Sequence, residues 1–335
     1  MSADVPSVLS TGIGSWPGTD MGDAIKIAFA ECPDLPYLPE LPARGTHAQL
    51  VGRTTAVLAG LSVDLQPAGW RLTDAPGRDH RAARSALRSD LDLLEEQAQD
   101  YEGRFKLSFA GPWTLAAMVE RPRGDRVLAD SGARRDLDQS LAEGLADLVS
   151  ELQRRLPRLD LVLQLDEPLL PAVMTGSVPT ASGFSRHRAI DLPELSGAFS
   201  YLVERLDRDR SVPVAVHSCA AGVPIELLRR AGIRAVSLDL DQLSVADWDA
   251  LGSGIEQGLW LALGALPTDR ALSADEVARR ALPPLRELGL DPAVLAGRLV
   301  LTASCGFAQA TTEAAVQALR TLRNAAGILT EQLAD

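Results

Sequence analysis

Eight short apolar runs punctuate this chain, and stretches of helical period separate them. The runs fall at 8–14, 35–38, 105–110, 159–165, 213–216, 235–238, 259–263 and 299–302. Between them, segments 21–30, 83–99, 133–155, 224–231, 245–251, 274–288 and 311–326 read as helices. The long ones carry apolar residues at helical spacing, with Arg, Asp and Glu on the other face. Ser273-Ala-Asp-Glu276 reads as a capping box that opens one of them. Strands that alternate with helices predict a parallel sheet, because a crossover helix is what brings the chain back in the same direction. A doubly wound sheet and a closed barrel both satisfy that pattern. Eight units in 335 residues favour the (β/α)8 TIM barrel, an α/β fold, built as a single domain over residues 1–335.

The charge balance narrows the partners. Lys and Arg number 33 against 45 Asp and Glu, a formal net charge of −12. An acidic surface repels phosphate backbones, so no nucleic-acid partner is expected. No basic run suggests a membrane surface, and no apolar stretch reaches the length of a membrane span. The opening residues lack the charged and apolar regions of a signal peptide. Three cysteines, Cys32, Cys219 and Cys305, are too few and too scattered for a disulfide framework. A cytoplasmic protein is expected.

Chemistry-bearing residues gather where the apolar runs end. In a barrel those ends form the catalytic face. Val214-Ala-Val-His217-Ser-Cys219 places His217 and Cys219 on the same side of an extended chain. Imidazole nitrogen and thiolate sulfur are preferred zinc ligands, although an HxC pair by itself also reads as a buried Cys beside an unrelated His. Cys305-Gly306 follows the last run. Asp239 and Asp241 end the run after HxC, and either could supply an oxygen ligand or cap a helix. Asp166-Glu167-Pro168 closes the fourth run, where a carboxylate can bind an ammonium group or act as a base. Thr11-Gly-Ile13-Gly14-Ser15 offers backbone N–H groups and a hydroxyl to a substrate carboxylate. Glu40 and Arg44 lie in a stiff, proline-rich loop, where they could also form a surface ion pair.

In this order the motifs resemble the catalytic barrel of cobalamin-independent methionine synthase and its short one-barrel relatives. The likeness runs from Gly12 to about Ala326 through IGS, an acid after the second run, GPxT, DEP, HxC and CG. The resemblance implies Zn2+ held by His217, Cys219 and Cys305, with Asp239 aligned to the family's fourth ligand. It implies that Ile13, Gly14 and Ser15 hold the carboxylate of homocysteine. Asp166, and with it Glu40, would hold the amino group. Gly111-Pro-Trp113-Thr114 would lie in the barrel mouth, where Trp113 either stacks on a flat methyl carrier or serves as a core aromatic. The implied reaction is methyl transfer from methyltetrahydrofolate or a corrinoid to homocysteine, giving methionine. Alternatives are a corrinoid-dependent enzyme acting on another thiol, or a non-catalytic zinc- or thiol-binding barrel.

Overall fold

The computed structural model describes residues 7–207 and 212–334. Among the described residues nine strands are present: β1 (Leu9–Ser10), β2 (Ser62–Gln66), β3 (Gly69–Thr73), β4 (Gly103–Ala110), β5 (Leu159–Asp166), β6 (Val214–Ser218), β7 (Ala235–Asp239), β8 (Trp260–Leu266) and β9 (Leu299–Ala303). Seven of them form a parallel sheet in the order β1-β9-β8-β7-β6-β5-β4. The segment from Pro36 to Glu40 fills the gap between β4 and β1. Leu38 N donates to Lys106 O at 3.0 Å, and Lys106 N to Pro36 O at 2.9 Å. On the other side Glu40 N donates to Gly14 O at 3.0 Å, and Trp16 N to Glu40 O at 2.7 Å. An eighth parallel position therefore closes the barrel. It forms only isolated bridges, Tyr37 with Lys106 and Ser15 with Glu40. Pro33, Pro36, Pro39 and Pro42 recur every third residue there, and a residue without an N–H cannot extend a regular ladder.

All eight apolar runs lie at these positions, and the fold is the expected barrel. The predicted helices are also present, among them Ser131–Arg155, Ala274–Glu287 and Thr312–Ala334. The Ser273–Glu276 capping box is made in both directions. Several elements lie outside the sequence expectation. The antiparallel hairpin β2–β3 interrupts the βα rhythm. Leu192–Asp207 is an amphipathic helix, and Pro112–Met118 a short one. No described helix is long and apolar enough to cross a membrane.

Alternation along the strands divides each into an outer and an inner set. Phe105, Leu107 and Phe109 of β4, and Leu161, Leu163 and Leu165 of β5, are buried and alternate with Lys106, Ser108, Gln164 and Asp166. Strand register sets the inner residues in layers. One register row runs Ala110, Asp166, His217, Ser237, Ala262 and Val300 across six neighbouring strands. Two candidate site residues and a hydroxyl neighbour thus share one level of the barrel.

Candidate active site

His217 ends β6 almost fully buried. Its Nδ1 lies 3.0 Å from the Ser237 hydroxyl on the adjacent strand. That contact holds the imidazole through Nδ1. Cys219 follows two residues later, half-buried, and Cys305 follows β9 at an exposed position. The three side chains are neighbours although up to 88 positions separate them in sequence. Cys219 and then His217 pull the Cys305 thiol well below its ordinary range. Cys305 in turn pushes Cys219 up. Among the described residues, however, no group of three or more His, Cys, Asp or Glu side chains is placed so that it could hold a metal ion as it stands.

The two candidate acids after β7 are separated by their partners. Asp239 Oδ1 accepts from Asp241 N at 3.0 Å, capping a short helical turn. Asp239 is raised by burial and sits within electrostatic reach of both Cys219 and Cys305. Asp241 instead pairs with Arg280 at 2.7 Å on the open surface.

Glu40 and Asp166 meet across the mouth. Glu40 is 5% exposed, and burial pushes its carboxyl up to about 7, against the pull of Arg53 and with a push from Asp166. Asp166 is likewise raised by burial, and His217, Gln164, Lys106 and Arg53 lower it. Arg53 was not apparent from sequence. It is buried over the Phe109 ring at 4.4 Å, with Nη1 donating to Ser108 O, and its Nε and Nη2 have no hydrogen-bond partner among the described residues. Arg44 does not face Glu40: it forms a two-pronged pair with Asp90 at 2.7 and 2.6 Å.

Ile13, Gly14 and Ser15 lie between Glu40 and the Cys305-Gly306 turn. Ser15 O accepts from Phe307 N at 2.9 Å. A Cβ on Gly306 would overlap the Ser15 hydroxyl, which explains the glycine after Cys305. Gly12 and Gly14 have ordinary negative φ, so the turn is not a left-handed anion nest. They are glycines because the Tyr37 ring and Ser108 Oγ occupy the space a side chain would need.

Two further expectations are corrected. Trp113 is not in the mouth. It is 3% exposed within the hydrophobic core and donates Nε1 to Leu195 O at 3.3 Å. The GPxT segment is the first turn of the helix Pro112–Met118, not a mouth loop. Its free N–H groups are bound by Glu167, the second acid of the DEP motif. Glu167 accepts from Trp113 N at 2.9 Å, Thr114 N at 2.8 Å and the Thr114 hydroxyl at 2.7 Å. The first acid faces the mouth and the second caps a helix.

Comparison with known proteins shows the family of the chain. Residues 108–328 match the family model described as "Cobalamin-independent synthase, Catalytic domain". The chain belongs to this family. It is therefore an enzyme of the methyltransferase class, and the reaction of the family is methyl transfer to homocysteine. Among solved structures, a B12-independent methionine synthase from Shewanella sp. W3-18-1, in complex with selenomethionine, superposes with a TM-score of 0.63. It is 16% identical, over 98% of this chain and 99% of that one, and at that identity the likeness is one of fold. A ruminal GH26 endo-beta-1,4-mannanase gives 0.45 at 11% identity, over 94% of this chain and 62% of that one. A GH26 domain from Prevotella bryantii gives 0.47 at 9% identity, over 94% and 89%. A search of curated proteins finds no match.

Proposed function

We propose that the whole chain acts as one zinc-dependent catalytic barrel in the cytoplasm, moving a methyl group from methyltetrahydrofolate or a corrinoid to homocysteine. The observation that carries this reading is the meeting of His217, Cys219 and Cys305 at the ends of β6 and β9. One nitrogen and two sulfur donors suit zinc, and the Ser237 contact presents Nε2 of His217 to it. Asp239, already holding a backbone N–H, would be a weak and displaceable fourth ligand. Bound there, zinc would keep an incoming thiol deprotonated at neutral pH, where a free thiol is mostly protonated.

The remaining work falls to the chain. Asp166 and Glu40 face the position of the substrate ammonium, and two acids in one buried mouth favour a cation between them. Ser15 and the backbone of Ile13 and Gly14 border the same space and would take the carboxylate. Held at both ends, the amino acid directs its sulfur toward the His217 side of the barrel. The sulfur–carbon bond forms as the methyl group leaves its donor, and the electron pair of the broken bond stays with the donor.

The experiment is direct. Purified, zinc-loaded chain is incubated with homocysteine and either methyltetrahydrofolate or methylcobalamin, and methionine is measured. Methionine from either donor supports the reading, and the donor that works names the carrier. Absence of methionine with both, from folded zinc-loaded protein, would reject it.

A further inference from the structure

A lysine lies enclosed inside the barrel, one level and more below the mouth. Lys106 of β4 is 3% exposed, and its ammonium is bound by uncharged oxygens. It donates to Gly12 O at 2.6 Å, Ile13 O at 2.8 Å and Gln164 Oε1 at 2.7 Å. Burying a charge costs several kcal/mol unless its surroundings compensate for it. A neutral donor would have served the same carbonyls without that cost. An ammonium can only donate, so it fixes which way the Gln164 amide faces. With Oε1 held by the ammonium, Nε2 must point the other way. It donates to Ile13 O at 2.9 Å and to Asp166 Oδ1 at 2.7 Å. Ile13 O therefore receives two donors, and both hydrogens of the Gln164 amide are used. Gln164 is itself buried. The end of β1 and the end of β5, separated by about 150 residues, are joined into one unit.

We infer that Lys106 and Gln164 are positioning residues that set the distance between the Ile13–Ser15 backbone and the Asp166 carboxylate, and so select an α-amino acid among sulfur compounds. The inference rests on the proposed reading that these two groups hold the substrate's carboxylate and ammonium. A ligand that carries both groups on one carbon senses the spacing between them. A ligand that carries only one does not.

The test uses binding rather than turnover. L-Methionine, 4-(methylthio)butanoate (no amine) and 3-(methylthio)propylamine (no carboxylate) are titrated into wild type, Lys106→Met and Gln164→Leu by calorimetry. Melting temperatures identify any variant that fails to fold. Lys106 touches the turn and Gln164 but not Asp166, so the two variants disturb the unit from different sides. The expected result in both is methionine binding weakened about 30- to 100-fold, the scale of a misplacement near 1 Å. The one-armed analogues should lose at least about threefold less than methionine does in the same variant, a small loss for the amine being expected because Lys106 and Gln164 both favour the ionised form of Asp166. Equal weakening of all three ligands, or unchanged methionine binding in both folded variants, would overturn the inference. If wild type itself prefers neither group on the ligand, the head-group reading fails first and takes the inference with it; in that case the failing sample is the wild type.

Discussion

Glu167→Gln separates the two acids of the DEP motif. The Glu167 carboxylate is fully buried and accepts three hydrogen bonds, from Trp113 N, Thr114 N and the Thr114 hydroxyl. Glutamine has nearly the same shape but only one acceptor oxygen. Its amide nitrogen would face an N–H at 2.8 or 2.9 Å, donor against donor. A hydrogen bond to a charged group contributes about 1.5–3 kcal/mol, and a buried donor left without a partner costs about 1–3 kcal/mol. Partial relaxation brings the expected loss to about 3 kcal/mol. For 335 residues, at about 2.1 cal/mol/K per residue, the unfolding entropy is about 0.7 kcal/mol/K, so the melting temperature should fall by about 4 °C. Differential scanning calorimetry measures the fall. Turnover per folded molecule should drop less than about tenfold, because Glu167 holds a helix and not the substrate. Unchanged stability with activity lost by more than about a thousandfold would refute this reasoning and place Glu167 among the reacting groups.

Three other outcomes follow from the same geometry. Burial, and then Glu167, push the Asp138 carboxyl up to about 7 from its ordinary 3.8, and its Oδ1 has no partner among the described residues. A raised acid holds its proton more tightly when folded, so stability falls as pH rises from about 4 to about 7. At 1.36 kcal/mol per unit, discounted for partial exposure, Asp138→Asn should remove about 2 kcal/mol of that decline in urea titrations from pH 4 to 8, and parallel curves would contradict it. Gly144→Ala should destabilise by about 2–4 kcal/mol, because the new methyl group would overlap the backbone carbonyl of Val57; an unchanged unfolding midpoint would show that the helix can shift. Asp239→Ala should weaken zinc binding measured by chelator competition about tenfold, whereas Asp241→Ala, which only frees Arg280, should leave it within about twofold.

Much of the barrel was legible because each strand is short, apolar and followed by a helix-period segment. What resisted reading had identifiable causes. The closing segment 36–40 is a strand in position but is joined to its neighbours only by isolated bridges, because its prolines remove donors. The hairpin β2–β3 has no counterpart in a βα repeat. In the site, residues at the ends of runs were visible and residues within or beside them were not. Lys106, between Phe105 and Leu107, looks like a solvated edge until both neighbours are found fully buried; a charge inside a strand buried on both faces was the available signal. Arg53 lay in a segment with no recognised period and offered no comparable sign. Trp113 could be read either way, and only the packing of its indole against Leu195 O decides for the core.

The central claim is that His217, Cys219 and Cys305 hold a zinc ion that readies a thiol for methylation. Elemental analysis of purified chain, after dialysis against a weak chelator, tests it most directly. About one zinc per chain is expected in wild type, falling to below about a tenth in folded Cys219→Ser and Cys305→Ser. A wild-type chain that makes methionine at full rate while holding no zinc, or serine variants that keep the metal, would contradict it.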